Sequence, residues 1–294
     1  MTTILVTGSS GQLGSEIRER SARYSGYNFV FTDVGELDIT DDEATTTFIG
    51  ELSPSWIVNC AAYTAVDRAE DEEERATLVN GRGVENLVSA LTGTDCRLIQ
   101  ISTDYVFNGN TAVPYSEHSE PSPASAYGRS KLAGEKEALK WPGTMIIRTS
   151  WLYSSYGNNF VKTILGKAGS SESINVVFDQ TGSPTYAADL AAAILDIISG
   201  VIQNRHMFVP GIFNYSNEGV CSWFDLATEI VAIAGSQCRV IPVRSSTYPS
   251  KVNRPAYSVL DKSKITEYYS LSIPHWRTSL NNCISKITRH DKHR

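Results

Sequence analysis

Near its amino terminus the chain reads Thr7-Gly8-Ser9-Ser10-Gly11-Gln12-Leu13-Gly14, with glycines in the spacing G-x-x-G-x-x-G. A strand-like apolar run, residues 4–7, leads into this turn, and a segment with helical periodicity, residues 12–22, follows it. Glycine lets the backbone turn tightly and approach a pyrophosphate, and the amides of the helix then face the anion. The order of strand, turn and helix therefore predicts a dinucleotide site and not a purely structural turn.

The rest of the first half repeats this alternation of strands and helices. Strands are predicted at residues 29–32, 56–59, 98–102 and 145–149, and helices at 42–52, 72–91 and 126–139. Alternation of this kind is typical of βαβ units, whose right-handed crossovers build a parallel sheet. We therefore predict an α/β fold with a doubly wound, Rossmann-type parallel sheet and a smaller α/β substrate-binding lobe.

The second half has a looser rhythm. Helices are predicted at residues 159–168 and 187–198, a strand at 212–215, and a further helix capped by Ser222 and running to residue 234. Beyond it we expect scattered turns, including 248–250 and 253–255, and a frayed basic tail at 286–294. We predict a dinucleotide-binding domain over 1–150 that also receives segments from about 174–216. Residues 151–294 are expected to form most of the lobe, interleaved with that domain.

Composition excludes several classes of protein. The chain has 294 residues, a net charge of -6 and a pI near 5.5, so we expect no nucleic-acid partner. No window is apolar enough to span a membrane, and no secretory signal is visible at the start, so we expect no membrane association. The cysteines are odd in number, widely spaced and without a C-x-x-C pair, which favours free, buried thiols in the cytoplasm. The histidines show no ligand spacing, so no metal site is predicted from them.

Two acidic residues follow the second strand. Asp33 lies at the distance from the glycines expected of the carboxylate that meets the adenosine ribose, where it would bond a 2′-hydroxyl and repel a 2′-phosphate. This favours NADH over NADPH, although the less favoured alternative, Asp33 as a turn residue, stays open. Asp38 and Ile39 could flank the adenine, or Asp38 could cap a turn. At the end of the third strand, Ala61 and Ala62 are small enough to form a wall beside the cofactor.

The chemistry is predicted from Tyr127-Gly-Arg-Ser-Lys131. On a helix Tyr127 and Lys131 share a face, and the ammonium is expected to lower the pKa of the phenol. Thr103, at the end of the fourth strand, should face the same crevice and bond a carbonyl oxygen. Tyr127 could then protonate that oxygen while a reduced nicotinamide supplies hydride. A lone Y-x-x-x-K occurs often by chance. Its presence together with the glycine turn and Thr103 indicates a catalytic pair.

Several motifs are similar to those of the dTDP-4-dehydrorhamnose reductases, which are extended short-chain dehydrogenases/reductases. The resemblance covers nearly the whole chain, and its motifs in the lobe separate this family from the wider superfamily. The motifs that carry the resemblance are Gly11-Gln-Leu-Gly14, Asn59-Cys-Ala-Ala-Tyr-Thr-Ala-Val-Asp67, Ser102-Thr-Asp-Tyr-Val-Phe107, Tyr127-Gly-Arg-Ser-Lys-Leu-Ala-Gly-Glu135, Arg148-Thr-Ser-Trp151, Gly157-Asn-Asn-Phe160, Asp179-Gln-Thr-Gly-Ser-Pro-Thr185 and Arg254-Pro-Ala-Tyr-Ser-Val-Leu-Asp261, of which the last two lie in the lobe.

The resemblance implies NAD(P)H-dependent reduction of the 4-keto group of dTDP-4-dehydro-L-rhamnose to dTDP-L-rhamnose, in rhamnose biosynthesis. It implies Tyr127 as proton donor, with Thr103 and Lys131 as its catalytic partners. Around the cofactor it implies Gly8, Gly11, Gln12, Leu13, Gly14, Asp33, Asp38, Ile39, Ala61, Ala62, Tyr63, Tyr127 and Lys131. Around the nucleotide sugar it implies Thr103, Asp104, Val106, Tyr127 and Trp151.

The chain departs from the family at one point. Some members bind magnesium at a dimer interface through acidic residues, one in the first helix and others in the lobe. Glu16 matches the first, but Pro184-Thr-Tyr-Ala-Ala-Asp-Leu190 has alanines where the acid would align. We therefore expect no magnesium, and the oligomeric state, monomer or homodimer, stays open.

Two other functions remain open on the sequence alone. The chain could reduce another nucleotide-linked 4-keto or 6-deoxy sugar. It could also be a non-catalytic, NAD(P)-binding partner, because the regulatory β subunit of methionine adenosyltransferase resembles the same family. All three predicted catalytic residues, Thr103, Tyr127 and Lys131, are present, which favours an enzyme over a regulatory subunit.

Overall fold

The computed structural model describes residues 1–247 and 251–291, and its centre is a parallel sheet with strand order β10-β5-β4-β3-β1-β2. The turn predicted at 248–250 and the end of the predicted tail, 292–294, lie outside these residues. The chain moves from β1 to β2 on one side and to β3 on the other, which is the reversal of a doubly wound fold. The predicted fold class is confirmed. The elements of the first half are β1 (Thr2–Thr7), α1 (Gln12–Ser21), β2 (Tyr27–Phe31), α2 (Asp42–Leu52), β3 (Trp56–Asn59), α3 (Val66–Ala69), α4 (Glu73–Thr77), α5 (Gly83–Ala90), β4 (Arg97–Thr103), α6 (Ala126–Ala138) and β5 (Thr144–Thr149).

The second half contributes both to the sheet and to a lobe beyond its carboxyl edge. Its elements are β6 (Leu152–Tyr153), α7 (Phe160–Ala168), β7 (Ser173–Val177), β8 (Thr181–Gly182), β9 (Thr185–Tyr186), α8 (Ala187–Ile202), β10 (Gly211–Tyr215), β11 (Cys221–Ser222), α9 (Trp223–Ile233), β12 (Arg239–Val243), α10 (Ser263–Tyr269) and α11 (Trp276–Asp291). Strand β10 pairs in parallel with β5 and completes the sheet, whereas β7 pairs with β12 in the lobe.

Alternation along the strands divides the sheet core between two helical layers. In β1, Ile4 and Val6 pack on one face with α1 and α8, and Leu5 packs on the other with α2 and α5. All three are fully buried, which explains why the strands read as near-continuous apolar runs. A separate apolar core in the lobe joins α7, α9 and α11.

Three expectations about secondary structure are wrong. The helix predicted at 72–91 is interrupted by a π-helical turn, Leu78–Arg82, between α4 and α5. The stretch beyond residue 234 is not only turns, because it contains β12, α10 and α11. The tail is not frayed from residue 286, because α11 continues to Asp291 and the Lys286 ammonium bonds the carboxylate of Glu16, 2.9 Å away.

No helix in the described ranges is both long enough and apolar enough to cross a membrane.

Candidate active site

The glycine turn sits where β1 meets α1 and matches the needs of a phosphate-binding turn. Gly8 has φ +62°, and a Cβ there would lie 2.5 Å from the Ala61 nitrogen, so only glycine fits. A Cβ on Gly14 would lie 2.5 Å from the Gly8 oxygen, so α1 can approach the turn closely. Gly11 caps α1 without any side-chain bond, which leaves the first amides of the helix for an anion. The turn therefore fits the pyrophosphate of a dinucleotide.

A cavity of about 1000 Å³ runs from this turn along the carboxyl edge of the sheet and under the lobe. It brings together nearly all the predicted cofactor and substrate residues. These are Gly8, Gly11, Gln12, Leu13, Gly14, Asp33, Asp38, Ile39, Ala61, Ala62, Tyr63, Thr103, Asp104, Tyr127, Lys131 and Trp151.

Val106 is the exception, because it does not line this cavity, and its contact with the sugar stays a prediction. Its side chain is fully buried and packs with Phe107, Tyr115 and Leu260, away from the cavity.

Asp33 is held at the cavity by backbone amides. Its two carboxylate oxygens accept from Ser10 N at 2.9 Å and from Val34 N at 2.8 Å. Burial opposes ionisation of Asp33, but the amides of Val34 and Ser10 outweigh it and lower its pKa. Arg18 adds a favourable charge from α1, where its guanidinium bonds the Ser9 hydroxyl at 2.7 Å. An ionised carboxylate and a nearby guanidinium thus lie together where a ribose 2′-substituent is expected.

Asp38 caps a turn and also lines the cavity, while its place beside the adenine stays a prediction. Its Oδ1 accepts from the backbone and the hydroxyl of Thr40, at 2.9 and 2.8 Å, which is the geometry of a turn cap. The residue also lines the cavity beside Ile39.

The wall after β3 is fixed by a residue that the sequence analysis did not select. Asn80, in the π-helical turn, accepts from Tyr63 N at 2.9 Å and donates to Tyr63 O at 3.0 Å. Its amide also donates to the Ser130 hydroxyl at 2.9 Å, and Ser130 donates to Tyr127 O. A π-turn at this place is a signal of function, but it cannot be seen in an unaligned helix pattern.

Helix α6 carries Tyr127 and Lys131 into the cavity. Ser125 caps its amino end by accepting from Gly128 N at 3.1 Å, and Glu70 accepts from Ala126 N at 2.9 Å. Tyr127 lies in the first turn, 9% exposed, and its ring meets Tyr105 edge-on at 5.5 Å between centroids. The start of the helix, and with it the phenol, is therefore held from two sides.

The expected lowering of the Tyr127 pKa by Lys131 is wrong in this structure. Burial raises the pKa of Tyr127, and the Thr103 hydroxyl is the neighbour that opposes this rise. The Lys131 ammonium instead donates to Ile101 O at 2.7 Å, and burial lowers its pKa to about 8. Tyr127 is therefore a phenol that keeps its proton at neutral pH, which is the state a proton donor requires.

Thr103 connects Tyr127 to a buried carboxyl group. Its hydroxyl donates to Asp104 Oδ1 at 3.0 Å and accepts from Tyr105 N at 3.2 Å. Asp104 is 2% exposed, and burial raises its pKa to about 7 while the hydroxyls of Thr103 and Ser258 oppose the rise. The Ser258 hydroxyl lies beside this carboxyl without a well-formed hydrogen bond, and Asp104 Oδ2 has no partner among the described residues.

The lobe closes the cavity with aromatic rings and one guanidinium. Trp151, with φ 48°, stacks on Trp223 at 3.6 Å between ring centroids, and its indole donates to the Ser258 hydroxyl at 3.1 Å. Arg254 bonds Asp67 at 2.7 Å and the Tyr105 hydroxyl at 3.3 Å. Trp223 and Arg254 were missed as site residues, although Arg254 lies inside a motif quoted above.

Glu16, the residue that resembles a magnesium ligand, is occupied by protein donors. It is 1% exposed and accepts from Ser154 Oγ at 2.6 Å and from the Lys286 ammonium at 2.9 Å. Within residues 1–247 and 251–291, no three His, Cys, Asp or Glu side chains cluster as metal ligands would. A lysine ammonium thus balances the buried carboxylate.

The chain is similar in sequence to a known protein family and to several relatives. A sequence profile of the family described as RmlD substrate binding domain matches residues 1–289. The spore coat polysaccharide biosynthesis protein SpsK of Bacillus subtilis is 38% identical over 97% of this chain and 98% of its own length. A dTDP-4-dehydrorhamnose reductase of Aggregatibacter actinomycetemcomitans is 36% identical over 96% and 98%. A dTDP-4-keto-6-deoxy-D-glucose reductase of Streptomyces niveus is 38% identical over 94% of each chain.

Solved structures agree with these relatives. A dTDP-4-dehydrorhamnose reductase from Clostridium acetobutylicum superposes with a TM-score of 0.91 at 38% identity, covering 98% of this chain and 100% of the other. The Bacillus anthracis dTDP-4-dehydrorhamnose reductase, solved in complex with NADP, has the same TM-score at 36% identity and covers 97% and 100%.

Proposed function

The chain belongs to the RmlD substrate binding domain family, that of the dTDP-4-dehydrorhamnose reductases, and from this membership we propose its substrate and mechanism. It is an NAD(P)-dependent oxidoreductase. Its reaction is the reduction of the 4-keto group of dTDP-4-dehydro-L-rhamnose to give dTDP-L-rhamnose, a step of rhamnose biosynthesis.

One observation carries the chemical part of the proposal. The phenol of Tyr127 lies beside the Thr103 hydroxyl, in the same cavity as the glycine turn, and burial keeps its proton in place. A neutral donor and a second hydroxyl are therefore available where a ketone would become an alkoxide.

A bound NAD(P)H supplies the hydride that reduces the ketone carbon. Tyr127 donates its proton to the ketone oxygen as negative charge develops there, and Thr103 donates a hydrogen bond to the same oxygen. Lys131 holds the nicotinamide ribose, and Gly8, Gly11, Gln12, Leu13 and Gly14 hold the pyrophosphate. Trp151 and Asp104 contact the sugar nucleotide. These assignments are supported by the shared cavity and by the burial of Thr103, Asp104, Tyr127 and Lys131.

The cofactor preference is the finer part of the proposal. An ionised Asp33 favours a free 2′-hydroxyl, so NADH is the preferred donor. Arg18 lies close enough to lower the Asp33 pKa, and it could partly compensate a 2′-phosphate, so NADPH is a slower alternative. Magnesium has no part in this proposal, because the Glu16 carboxylate is paired with Lys286.

The assembly and setting of the protein are proposed together. Residues 1–150 with 187–215 form the cofactor-binding part, and most of the remaining residues form the lobe, which is supported by β10 joining the sheet and α8 packing on it. The protein works in the cytoplasm, which is supported by the free cysteines of the described residues. It acts as a monomer or homodimer. Light scattering at several protein concentrations distinguishes the two assemblies.

A second candidate is reduction of another dTDP-linked 4-keto sugar. It is favoured by the Streptomyces niveus relative, a dTDP-4-keto-6-deoxy-D-glucose reductase as similar in sequence as several dTDP-4-dehydrorhamnose reductases are. Tyr127 and Thr103 act on the ketone oxygen, which both sugars have. Discrimination between the sugars must therefore come from lobe residues that contact the rest of the ring.

Oxidation of NADH and NADPH should be measured with dTDP-4-dehydro-L-rhamnose and with dTDP-4-keto-6-deoxy-D-glucose. We expect the higher kcat/KM with the rhamnose precursor. Preference for the other sugar would select the second candidate. Cofactor binding without turnover on either sugar would contradict a reductase and favour a regulatory, non-catalytic role.

A further inference from the structure

A buried carboxyl group lies one hydroxyl away from the proton donor. Asp104 lines the cavity, is 2% exposed, and keeps Oδ2 without a partner among the described residues. Among the ion pairs of those residues none includes Asp104, and the Arg254 guanidinium in the same cavity is bound to Asp67 and Tyr105. A buried carboxyl group without a counter-charge is held more stably with its proton than without it.

Thr103 lies between this carboxyl group and Tyr127. Its hydroxyl donates to Asp104 Oδ1 at 3.0 Å and also lies within hydrogen-bonding reach of the Tyr127 phenol. The Tyr105 amide fixes the hydroxyl oxygen from a third direction, at 3.2 Å. Rotation of the Thr103 hydroxyl about its Cβ–Oγ1 bond therefore turns its proton from the Asp104 carboxyl group towards the Tyr127 phenol.

We propose that Asp104 returns the proton to Tyr127 through the Thr103 hydroxyl after each turnover. The inference rests on the proposed function, in which Tyr127 gives its proton to the ketone oxygen. It adds the route by which the enzyme is reset, and it assigns Asp104 a role beyond contact with the sugar.

The resetting step balances without any additional reagent. Tyr127 is a phenolate once it has protonated the product. The Asp104 carboxyl proton moves to the Thr103 oxygen while the threonine proton moves to the phenolate. Two O–H bonds break and two form, and no electrons are transferred. The Asp104 carboxylate then regains at Oδ2 the one solvent proton that each reduction consumes, and rotation about its Cβ–Cγ bond presents that proton to Thr103 again.

The groups around Asp104 allow it to hold this proton near neutral pH. The titratable groups that face it are Tyr105, which follows it in the chain, and Tyr127 on α6, and both are neutral phenols. From the lobe, Ser258 faces it with a hydroxyl and Arg254 acts on Tyr105. Lys131 is held on Ile101 O. Burial raises the pKa of Asp104 to about 7, so it can both give and regain a proton under ordinary conditions.

The first turnover and the later turnovers of Asp104→Asn separate this role from sugar binding. In stopped flow at saturating sugar, the first turnover uses the proton already on Tyr127, so we expect a burst of NADH oxidation equal to the enzyme sites, with a rate constant that falls much less than the steady-state rate does. The steady state should then be slower by roughly 10²-fold, because general acid–base help of that size is lost. The slow phase should show an enlarged solvent deuterium isotope effect and should accelerate with added imidazolium at constant pH.

Two further variants complete the test. Thr103→Ser keeps a hydroxyl in the relay and should keep the steady state within about threefold of wild type, a small effect on the scale of acid–base contributions. Asp261→Asn, a carboxylate outside the cavity that caps Ser263, should leave all phases unchanged. NADH titration of each variant shows whether the cofactor site is intact.

The outcomes are distinct. If burst and steady state of Asp104→Asn fall together, or if only KM rises, Asp104 merely binds the sugar and the relay is wrong. A wild type that turns over neither 4-keto sugar contradicts the proposed function itself and removes the basis of the relay.

Discussion

Asn80 bonds both backbone groups of Tyr63, accepting from its N–H at 2.9 Å and donating to its C=O at 3.0 Å. The same side chain donates to Ser130 on the helix that carries Tyr127 and Lys131. One buried amide, 1% exposed, therefore joins the wall of the cofactor cavity to the helix that carries the chemistry.

Asn80→Ala leaves three polar groups without this partner and should lower the free energy of unfolding by about 2–4 kcal/mol. The Kd for NADH should rise, because the wall at Tyr63 loses its support. Chemical denaturation and fluorescence titration measure the two effects. Asn110→Ala, an exposed asparagine, is the control and should change stability by less than about 0.5 kcal/mol. Equal effects of the two substitutions would contradict the linking role.

Lys286→Met should destabilise the protein by about 3 kcal/mol, because it leaves the Glu16 carboxylate buried without its cation. Thermal and urea unfolding measure the loss, and Glu16→Gln in the same chain should recover much of it. Lys251→Met is the matched control and should leave stability nearly unchanged, since its pair with Asp71 is largely exposed and screened by solvent. A neutral Lys286→Met would show that α11 is not held to α1 through this pair.

Tyr127→Phe should lower kcat by roughly 10²–10⁴-fold, because the ketone oxygen loses its proton donor. NADH binding should be retained, since the ring and its contact with Tyr105 remain. Steady-state kinetics and cofactor titration measure both. Tyr268→Phe, at an exposed tyrosine, should behave as wild type. Undiminished turnover by Tyr127→Phe would exclude the donor role.

Asp33→Ala should lower the ratio of kcat/KM for NADH to that for NADPH by roughly 10–100-fold, the value of a charge-assisted hydrogen bond. Asp38→Ala should change this ratio less, because one oxygen of Asp38 is already bonded to Thr40. Initial rates with both cofactors measure the ratio. An NADPH preference in the wild type would contradict the assignment of Asp33 to the ribose.

Stability should depend on pH through Asp104. Its folded pKa, about 7, lies above its ordinary value of 3.8, so the folded state holds a proton that the unfolded chain releases. Stability therefore falls as pH rises from about 4 to about 7 and then levels off, by an amount on the order of a few kcal/mol. The difference in unfolding free energy between wild type and Asp104→Asn should show this fall. A difference that does not vary with pH would place the folded pKa near 3.8.

The first half was predictable because its signals are local. Buried parallel strands read as apolar runs, and the glycine turn must be glycine, so strands, turn and helix α1 follow from adjacent residues. The lobe was predicted poorly, because β7 and β12 pair across more than sixty residues and α11 has a polar sequence that is held by packing on other elements.

The sequence predicted which residues line the site better than it predicted their pKa shifts and contacts. Sixteen of the residues predicted from motifs line one cavity, whereas Val106 packs with Leu260 outside that lining, an orientation that its motif does not reveal. The direction of the Tyr127 pKa shift was wrong because burial, which sequence spacing does not reveal, exceeds the influence of a lysine that bonds Ile101 O. Asn80 bonds Tyr63 and Ser130, which are distant in sequence, so no local sequence pattern predicts its role.

The position of β10 in the sheet has a consequence for biosynthesis. Strand β5 ends at Thr149, but its neighbour β10 begins only at Gly211, after α7 and α8. A nascent chain that has emerged to residue 150 therefore presents an unpaired strand edge, and the face that α8 will cover is bare. Such surfaces invite aggregation and chaperone binding. The ribosome must deliver much of the lobe before the nucleotide-binding sheet can close, so the two parts of the molecule mature together.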